Sequence, residues 1–438
     1  MADLNQYNEV FERKVSLLSM ERFSQKVKNP PAPPPEDKYY FNMILFSLLG
    51  VAAMVPLTFL LTAIDYWMYK FRDVSQENYD PNNKTFLQTN FASISSMMSS
   101  VPTALTTVIV SVFAHKIGLR LRLLGIMIAL CISFISVTIL VKVNTDSWQL
   151  GFFILTIIIM IINTFFTITL SISYYTLMAR FPPEYIKIHT YGYSISGVIS
   201  ALLQILCLVI GGSSTQVALI YYSCGLGIVM TAAVMIYFTK YSPFYQYYME
   251  GIEEETKKPL PSLADLKETY KRTWLVLLPL VLTTPVLGLS STTIGILIVS
   301  ESEGLWGKKF FMPVSTFLLK EISSMVGRFY ATPIMTRKNA KWFILLNVLQ
   351  AYGFGLLVPL CNAKPRSHLP VLFHHDWQYM SMMTVNGLIM GYYTTVSFLS
   401  MPNFAGDRTE QAYQLFQGIT IILMCATSPL SQVWINML

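Results

Sequence analysis

The chain has 438 residues, of which 53% are hydrophobic and only 13% are charged, and its formal net charge is +7. Water-soluble proteins carry about 25% charged residues, so this composition excludes two or three ordinary soluble domains. A membrane-spanning helix needs roughly 20 mostly apolar residues to cross a hydrocarbon core of about 30 Å. The sequence therefore predicts an all-α polytopic protein of the lipid bilayer. Its eleven predicted transmembrane helices are residues 41–66, 92–114, 121–141, 148–177, 190–212, 216–239, 273–300, 310–334, 341–361, 377–400 and 413–435.

The arrangement along the chain suggests two groups of helices. Residues 1–40 are polar and end in NPPAPPPEDK, a composition that predicts a disordered N-terminal tail without a cleavable signal peptide. Residues 41–239 contain the first six helices, and residues 240–272 form the one long polar connection. Residues 273–438 contain the last five helices. A division of this kind is expected for a transporter built from two bundles around a central pathway.

The connections predict how the chain is oriented in the membrane. Lys and Arg are concentrated in the connections on the side of the N-terminal tail, which favours a cytoplasmic N-terminus. Eleven helices then place the C-terminus outside. The one Asn-X-Ser/Thr triplet begins at Asn83, in the first external loop, and makes Asn83 the predicted glycosylation site. The expected location is the plasma membrane, with an intracellular membrane as the alternative, and the positive net charge does not predict nucleic-acid binding.

The predicted eighth helix contains FLLKEISSMVGR, residues 317–328, which places three charges in an apolar segment. Phe317, Glu321, Ser324 and Arg328 follow a spacing of four, three and four, which puts them on one helical face. A charged residue at the bilayer centre costs about 2.5–3.5 kcal/mol, so this face is expected to point into the protein or to water. Three interpretations remain open: a polar site on a translocation path, a structural ion pair, and a catalytic site.

Glu321 and Arg328 are seven residues apart, which is about 10 Å along a helix axis. This distance excludes a tight direct ion pair but allows both side chains to contact one polar solute. Arg offers forked donors and Glu offers acceptors, a combination that suits a solute rich in hydroxyl groups. Lys320 points about 100° away from Glu321, and its long stem is expected to snorkel or to meet a carbonyl group.

Other residues give little support for catalysis or metal binding. His374, His375 and Asp376 could bind a metal or sense pH, but an exposed loop is the favoured interpretation. The five cysteines have the spacing of neither a disulfide framework nor a metal site. Nucleophile-elbow, zinc-protease, phosphate-loop and CxxC motifs are not found. The sequence therefore predicts a protein that is not an enzyme and that needs no cofactor or metal.

Several motifs resemble one transporter family. PEDKYYFNMILFSLLG and the following MVPLTFLLTAIDY are similar to that family's first helix, and FFMPVSTFLLKEISSMVGR is similar to its eighth. YSPFYQYYME resembles the end of its sixth helix, while PLCNAKPRSHLPVLFHHDW and NGLIMGYY resemble the region between its ninth and tenth. These motifs occur in the family's order along residues 36–438, and together they identify a resemblance to the equilibrative nucleoside transporter family.

The resemblance implies a major-facilitator-like fold of six plus five helices and facilitated transport by alternating access. The expected solute is a nucleoside or sometimes a nucleobase, bound in a central cavity between the two groups of helices. Arg328 falls on the family's substrate-site arginine, Phe317 falls on an aromatic lining position, and Pro56 matches the proline of the first helix.

At other positions the chain departs from the family pattern. The family usually carries Asp where Ser324 stands, Asn where Glu321 stands, and Trp where Leu57 follows the first-helix proline. A fourth-helix Gln that contacts the base would fall on Leu170 or Ser171. One hypothesis is that Glu321 replaces the missing carboxylate, so that one anion still stands opposite Arg328.

These observations lead to three functional hypotheses. The first is a facilitative nucleoside transporter whose candidate substrate contacts are Arg328, Glu321, Ser324 and Phe317, together with Leu57 and Ser171. The second is a related carrier of a nucleobase, a nucleoside analogue or an organic cation, which the negative charge of Glu321 would favour. The third is a receptor or scaffold in the membrane that no longer transports a solute.

Overall fold

A computed structural model describes residues 33–427, except residues 63, 75–84, 114–115, 212, 250–261, 291–293 and 364–367. Asn83, most of the predicted tail, part of the predicted 240–272 connection and the last residues of the chain therefore lie outside the described residues. The side chain of Leu57 also lies outside them, although its backbone belongs to the first helix.

The described residues are almost entirely helical. A short helix, Pro243–Met249, follows α6, and two π-helical segments, Trp306–Phe310 and Met312–Leu318, precede α8. The main helices are α1 (Phe41–Thr62, followed by Ile64–Lys70), α2 (Phe86–Phe113), α3 (Leu119–Lys142), α4 (Gln149–Met178), α5 (Pro183–Ile210), α6 (Ser214–Phe238), α7 (Leu263–Ser290), α8 (Leu319–Tyr330), α9 (Ala340–Leu357), α10 (Asp376–Ala405) and α11 (Thr409–Thr427).

The bounds of α5 and α6 follow from local sequence. Pro183 occupies the first position of α5, where its missing N–H is not needed and its fixed φ suits a helix. Gly211 ends α5 with φ of 70°, a left-handed conformation that glycine adopts without strain. Ser213 then begins α6 through a reciprocal capping box with Gln216, which satisfies two free backbone N–H groups.

Six helical segments of the described residues are long and apolar enough to cross a membrane. They are Lys38–Pro56, Leu119–Lys142, Gln149–Met178, Pro183–Ile210, Ser214–Tyr241 and Ala340–Leu360. On α3, Ile128, Ile132, Ile135 and Ile139 form one outward stripe and are 43% to 60% exposed. Such a stripe suits contact with lipid. The predicted class is thus confirmed as an all-helical membrane protein, and the count of eleven spans remains a prediction.

Glycines allow two pairs of helices to approach very closely. Gly50 of α1 and Gly192 of α5 face each other, and a Cβ atom on either would overlap the partner backbone. Gly327 of α8 meets the backbone of Leu388 and Tyr392 on α10, while Gly387 and Gly391 of α10 meet the backbone of Lys320 and Ser324 on the α8 side, so added Cβ atoms would also overlap backbone atoms. Small residues permit this packing in membrane helices. Accordingly, the pairs α1–α5 and α8–α10 have the most extensive contacts between elements.

The helix contacts define two seams. Within the first six helices, α1 packs on α5 and α6, α2 packs on α4, and α3 packs on α6; within the last five, α7 packs on α9 and α11. Contacts also run from α5 to α8 and from α11 to α4 and α2. We call the first of these the α5–α8 seam and the second the α4–α11 seam.

Polar residues fix the helix ends. Asp37 accepts hydrogen bonds from the backbone N–H groups of Asn42 and Met43 and from the Tyr185 hydroxyl, which joins α1 to α5. At the start of α7, hydrogen bonds from Ser262 and the nearby charge of Arg408 lower the pKa of Asp265. Asp265 therefore stays ionised at neutral pH, and its 3.2 Å ion pair with Arg408 joins α7 to the residues just before α11.

The predicted His374–Asp376 group lies at the start of α10. Asp376 accepts hydrogen bonds from Ser300 Oγ at 2.6 Å and Trp306 Nε1 at 3.0 Å. His375 Nδ1 lies 2.8 Å from a carboxylate oxygen of Glu301, and the side chains of His374 and His375 are exposed. This group fixes the loop before α8 onto α10 in an exposed position.

Candidate functional site

The charged motif of the predicted eighth helix lies partly in a π-helical segment and partly in α8. Glu321, Ser324 and Arg328 belong to α8, where their spacing of three and four residues keeps them on one face. Phe317 lies in the preceding π-helical segment, Met312–Leu318. A π-helix has more residues in each turn than an α-helix, so Phe317 does not continue this face with the regular α-helical spacing.

Arg328 is held across the α5–α8 seam by two serines. Its Nε donates a hydrogen bond of 2.9 Å to Ser194 Oγ on α5, and Ser194 Oγ donates to Ser324 Oγ at 3.3 Å. Ser194 is fully buried and Ser324 is 7% exposed. Ser324, where the family resemblance implies an Asp, is therefore part of the hydrogen-bonded chain that orients the guanidinium group.

Glu321 contacts α5 at a different position along the helix axis. Its side chain packs against Gly197, because a Cβ atom on that glycine would lie 2.5 Å from Glu321 Cγ and 2.7 Å from Cδ. Among the ion pairs of the described residues, none joins Glu321 to Arg328, although the carboxylate acts electrostatically on the guanidinium. The two side chains thus stand apart on one face, each facing α5.

A cavity of about 420 Å³ lies in the α4–α11 seam. Its lining residues follow helical spacing on both walls, so one face of α4 and one face of α11 lie on opposite sides of the cavity. α1, α2 and Tyr193 of α5 complete the lining. The residues are Ala53, Met54, Pro56, Thr103, Met160, Asn163, Thr164, Thr167, Ile168, Ser171, Tyr175, Tyr193, Phe416, Gln417, Thr420, Ile421, Met424 and Cys425.

Tyr193 connects the cavity to the arginine. Its hydroxyl lies beside Ser171, which also lines the cavity, and within electrostatic range of the Arg328 guanidinium. Tyr193 directly precedes Ser194, the residue that receives the hydrogen bond from Arg328. The α5–α8 polar chain and the cavity therefore meet at this point of α5.

Aromatic rings and a lysine join the helices at the end where α4 ends and α11 begins. Tyr175 stacks on Phe398 and Tyr413 with ring centroids 6.0 Å and 5.9 Å apart. Nearby on α5, Lys187 Nζ donates a 2.6 Å hydrogen bond to the carbonyl oxygen of Phe329, near the end of α8. Helices from both seams are thus fastened to each other at this end.

The structure brings only some of the predicted site residues together. Ser171 and Pro56 line the cavity, whereas Glu321, Ser324 and Arg328 lie on the α5–α8 seam and Phe317 is not among the lining residues. Leu170, the other candidate for the fourth-helix contact, is fully buried and does not line the cavity.

Sequence reasoning did not identify several cavity residues. Tyr193, Gln417, Thr167 and Asn163 were not predicted as site residues. The repetition of Asn163, Thr164, Thr167 and Ser171 at helical spacing on α4 is the signal that could have found this wall. The α11 wall offers a weaker signal, because Gln417 is one of several polar residues near the start of that helix.

Comparisons with known proteins agree with the predicted resemblance. The family model described as nucleoside transporter matches residues 156–427, more than half of the chain. Equilibrative nucleoside transporter 3 of Rattus norvegicus is 24% identical over 404 residues, which cover 86% of this chain and 85% of the relative. Human equilibrative nucleoside transporter 1 is 26% identical over 408 residues, which cover 82% and 88%.

Human equilibrative nucleoside transporter 2 is 23% identical over 420 residues, which cover 84% of this chain and 91% of the relative. These similarities extend over most of each chain and concern transporters, not enzymes. The chain belongs to the nucleoside transporter family.

Proposed function

We propose that this protein is a facilitative nucleoside transporter that works by alternating access. The observation that carries the proposal is the 420 Å³ cavity between α4 and α11, which meets the Arg328 chain at Tyr193. Small-molecule sites typically occupy about 300–1,000 Å³ and combine apolar walls with a few polar groups. This cavity has that size and that composition.

In this proposal the protein consists of two bundles, helices one to six and seven to eleven. The contacts among α1 to α6 and among α7 to α11, with the α5–α8 and α4–α11 seams between them, support the division. A solute between α4 and α11 would contact both bundles. Rocking of one bundle against the other would then open the cavity to one side of the membrane and afterwards to the other.

The chemistry of the site suits a nucleoside. Tyr175, Tyr193 and Phe416 offer aromatic surface to a flat base. Arg328 offers further donors of its guanidinium group to ribose hydroxyls, and Glu321 offers acceptors on the same face of α8. Ser324 and Ser194 orient the arginine. Phe317 and Leu57 remain proposed substrate contacts from the family resemblance, although Phe317 does not line this cavity.

A second candidate solute is an organic cation. Glu321 carries a negative charge on the inner face of α8, and the ion pairs of the described residues do not include it. A positively charged nucleobase analogue or amine would be attracted to this carboxylate. Competition between labelled adenosine and a panel of organic cations distinguishes the two candidates.

We further propose a plasma-membrane location with a cytoplasmic N-terminus and an external C-terminus. The excess of Lys and Arg in the connections on the N-terminal side supports this orientation. Asn83 would then carry an N-linked glycan. Treatment of intact cells with a glycosidase should sharpen the band of the wild-type protein and leave that of Asn83→Gln unchanged.

Uptake of radiolabelled adenosine and uridine into oocytes tests the proposal. We expect saturable uptake that excess unlabelled nucleoside inhibits and that nucleoside preloaded inside the cell accelerates. Equal rates of uptake with and without an imposed pH gradient would support a facilitative mechanism. Absence of nucleoside uptake at normal surface expression would contradict the proposal, and inactivity toward a wide solute panel would favour a receptor or scaffold.

A further inference from the structure

Two side-chain amides line the cavity from opposite walls. Asn163 lies on α4 and Gln417 lies on α11, and they are only 5% and 7% exposed. Asn163 Oδ1 and Gln417 Oε1 are buried, and each is without a hydrogen-bond partner in the part of the chain that the structure describes. Neither amide is used by the Arg328–Ser194–Ser324 chain.

An unpaired buried acceptor is unfavourable, because folding removes its hydrogen bonds to water without replacing them. Most buried polar atoms in proteins therefore have partners. Other polar residues of the same cavity satisfy this rule within their own helices: the hydroxyls of Thr164 and Thr420 donate to the carbonyl oxygens of Met160 and Phe416. The two amides differ from these threonines in that their oxygens have no partner among the described residues, so a bound molecule that reached them would supply a missing hydrogen bond.

We propose that Gln417 and Asn163 recognise the base of the nucleoside by accepting hydrogen bonds from its N–H groups. An amide presents an acceptor and a donor side by side, the combination that reads the edge of a base in complexes with nucleic acids. The inference rests on the proposed nucleoside transport and adds a specificity to it. Bases with an N–H donor are favoured over bases without one.

Adenosine and purine riboside test this specificity, because purine riboside lacks the exocyclic amino group and has no N–H donor on its base. In the wild-type protein we expect the half-saturating concentration for adenosine to be at least about tenfold below that for purine riboside. Gln417→Met retains the length of the side chain and removes the acceptor. It should raise the half-saturating concentration for adenosine about tenfold and change that for purine riboside by less than about threefold.

Asn163→Leu on the other wall provides an independent variant. It should also reduce the preference for adenosine over purine riboside. Gln204→Met is the matched control, because Gln204 Oε1 is also buried and unpaired among the described residues but lies outside the cavity lining. Surface labelling normalises every uptake value to the amount of folded protein in the membrane. The control should discriminate as the wild-type protein does.

The outcomes separate this inference from the proposed function. No uptake of any nucleoside by the wild-type protein would overturn both. If Gln417→Met and Asn163→Leu still prefer adenosine over purine riboside as the wild-type protein does, the inference alone is overturned. It is also overturned if both variants lose affinity equally for adenosine and purine riboside. Loss of discrimination in either variant, with the Gln204→Met control intact, would support it.

Discussion

The α5–α8 seam and the α4–α11 seam each join one of the first six main helices to one of the last five, but their polar residues behave differently. In the α5–α8 seam Arg328, Ser194 and Ser324 bond to one another, and Glu321 packs directly on Gly197. In the α4–α11 seam, Asn163 and Gln417 keep unpaired oxygens beside a 420 Å³ cavity. The polar residues of the first seam contact one another or the opposite helix, whereas the second seam has both space and unused hydrogen-bonding capacity.

This difference suggests a division of labour. We propose that the α5–α8 seam positions charge and holds α5 against α8, while the α4–α11 seam supplies the room and the selective contacts for a solute. Substitutions in the first seam should therefore affect all substrates alike. Substitutions in the second should change which substrate is preferred. Substitutions in each seam test this contrast.

Replacement of Arg328 or of Glu321 should have the largest effects. Arg328→Met removes the guanidinium group that donates to Ser194 and that we propose to bind the ribose, so uptake of all nucleosides should fall at least about a hundredfold. Arg328→Lys keeps the charge but loses the forked donors, and uptake should be weakened. Initial rates in oocytes measure both effects. Arg337→Met, at an exposed position, is the control, and equal rates in all variants would remove Arg328 from the site.

Glu321→Gln tests whether the carboxylate is functional. The substitution preserves the shape that packs against Gly197 but removes the negative charge on the Arg328 face. We expect uptake of adenosine and uridine to be abolished, because the proposed acceptor opposite the arginine is weakened. Normal uptake by Glu321→Gln would show that Glu321 only packs.

Gly197→Ala tests how closely α5 and α8 must approach. The added Cβ atom would lie 2.5 Å from Glu321 Cγ, so the helices must separate or Glu321 must move, at a cost of about 1–3 kcal/mol. Uptake should fall several-fold for every substrate, and the thermal unfolding midpoint in detergent should decrease. Gly227→Ala on α6 is the matched control, because nothing lies within 4 Å of its Cβ position. Equal uptake rates and equal unfolding midpoints for the two variants would argue against close packing of α5 on α8.

Lys187→Met should have the smallest effect. It removes the 2.6 Å hydrogen bond that joins α5 to the carbonyl oxygen of Phe329, and a bond of this type contributes about 0.5–1.5 kcal/mol, or somewhat more with a charged donor. We expect a change in the maximal rate of less than about tenfold, with the half-saturating concentration nearly constant. A variant of the exposed Lys341, Lys341→Met, should behave as the wild type. A selective change in substrate preference would contradict this structural role.

Much of the α5–α8 seam could be predicted from sequence. Charges in an apolar segment are conspicuous because burial is costly, and helical spacing correctly placed Glu321, Ser324 and Arg328 on one face. Their partners could not be predicted, because Ser194 and Gly197 have no unusual chemistry and matter only through the approach of α5. The π-helical geometry around Phe317 was also missed, since the prediction assumed regular α-helical spacing.

The α4–α11 seam was harder to predict for a physical reason. A cavity depends on the distance between two helices that are more than two hundred residues apart in sequence, and no local pattern encodes that distance. The small polar residues on α4 are also common in ordinary membrane packing. Gln417 became informative only when the structure placed it opposite Asn163 with its oxygen unpaired.

A nucleoside in the proposed site between α4 and α11 would lie beside Cys425, which therefore provides a direct test. Its side chain lines this cavity, so a variant in which Cys131, Cys207, Cys224 and Cys361 are replaced by alanine has one reactive probe there. The measurement is the rate at which a small maleimide modifies Cys425 in the purified protein, with and without saturating adenosine. We expect adenosine to slow the modification severalfold and ribose alone to leave the rate unchanged. An unchanged rate with adenosine, in a variant that still transports adenosine, would contradict this placement of the nucleoside.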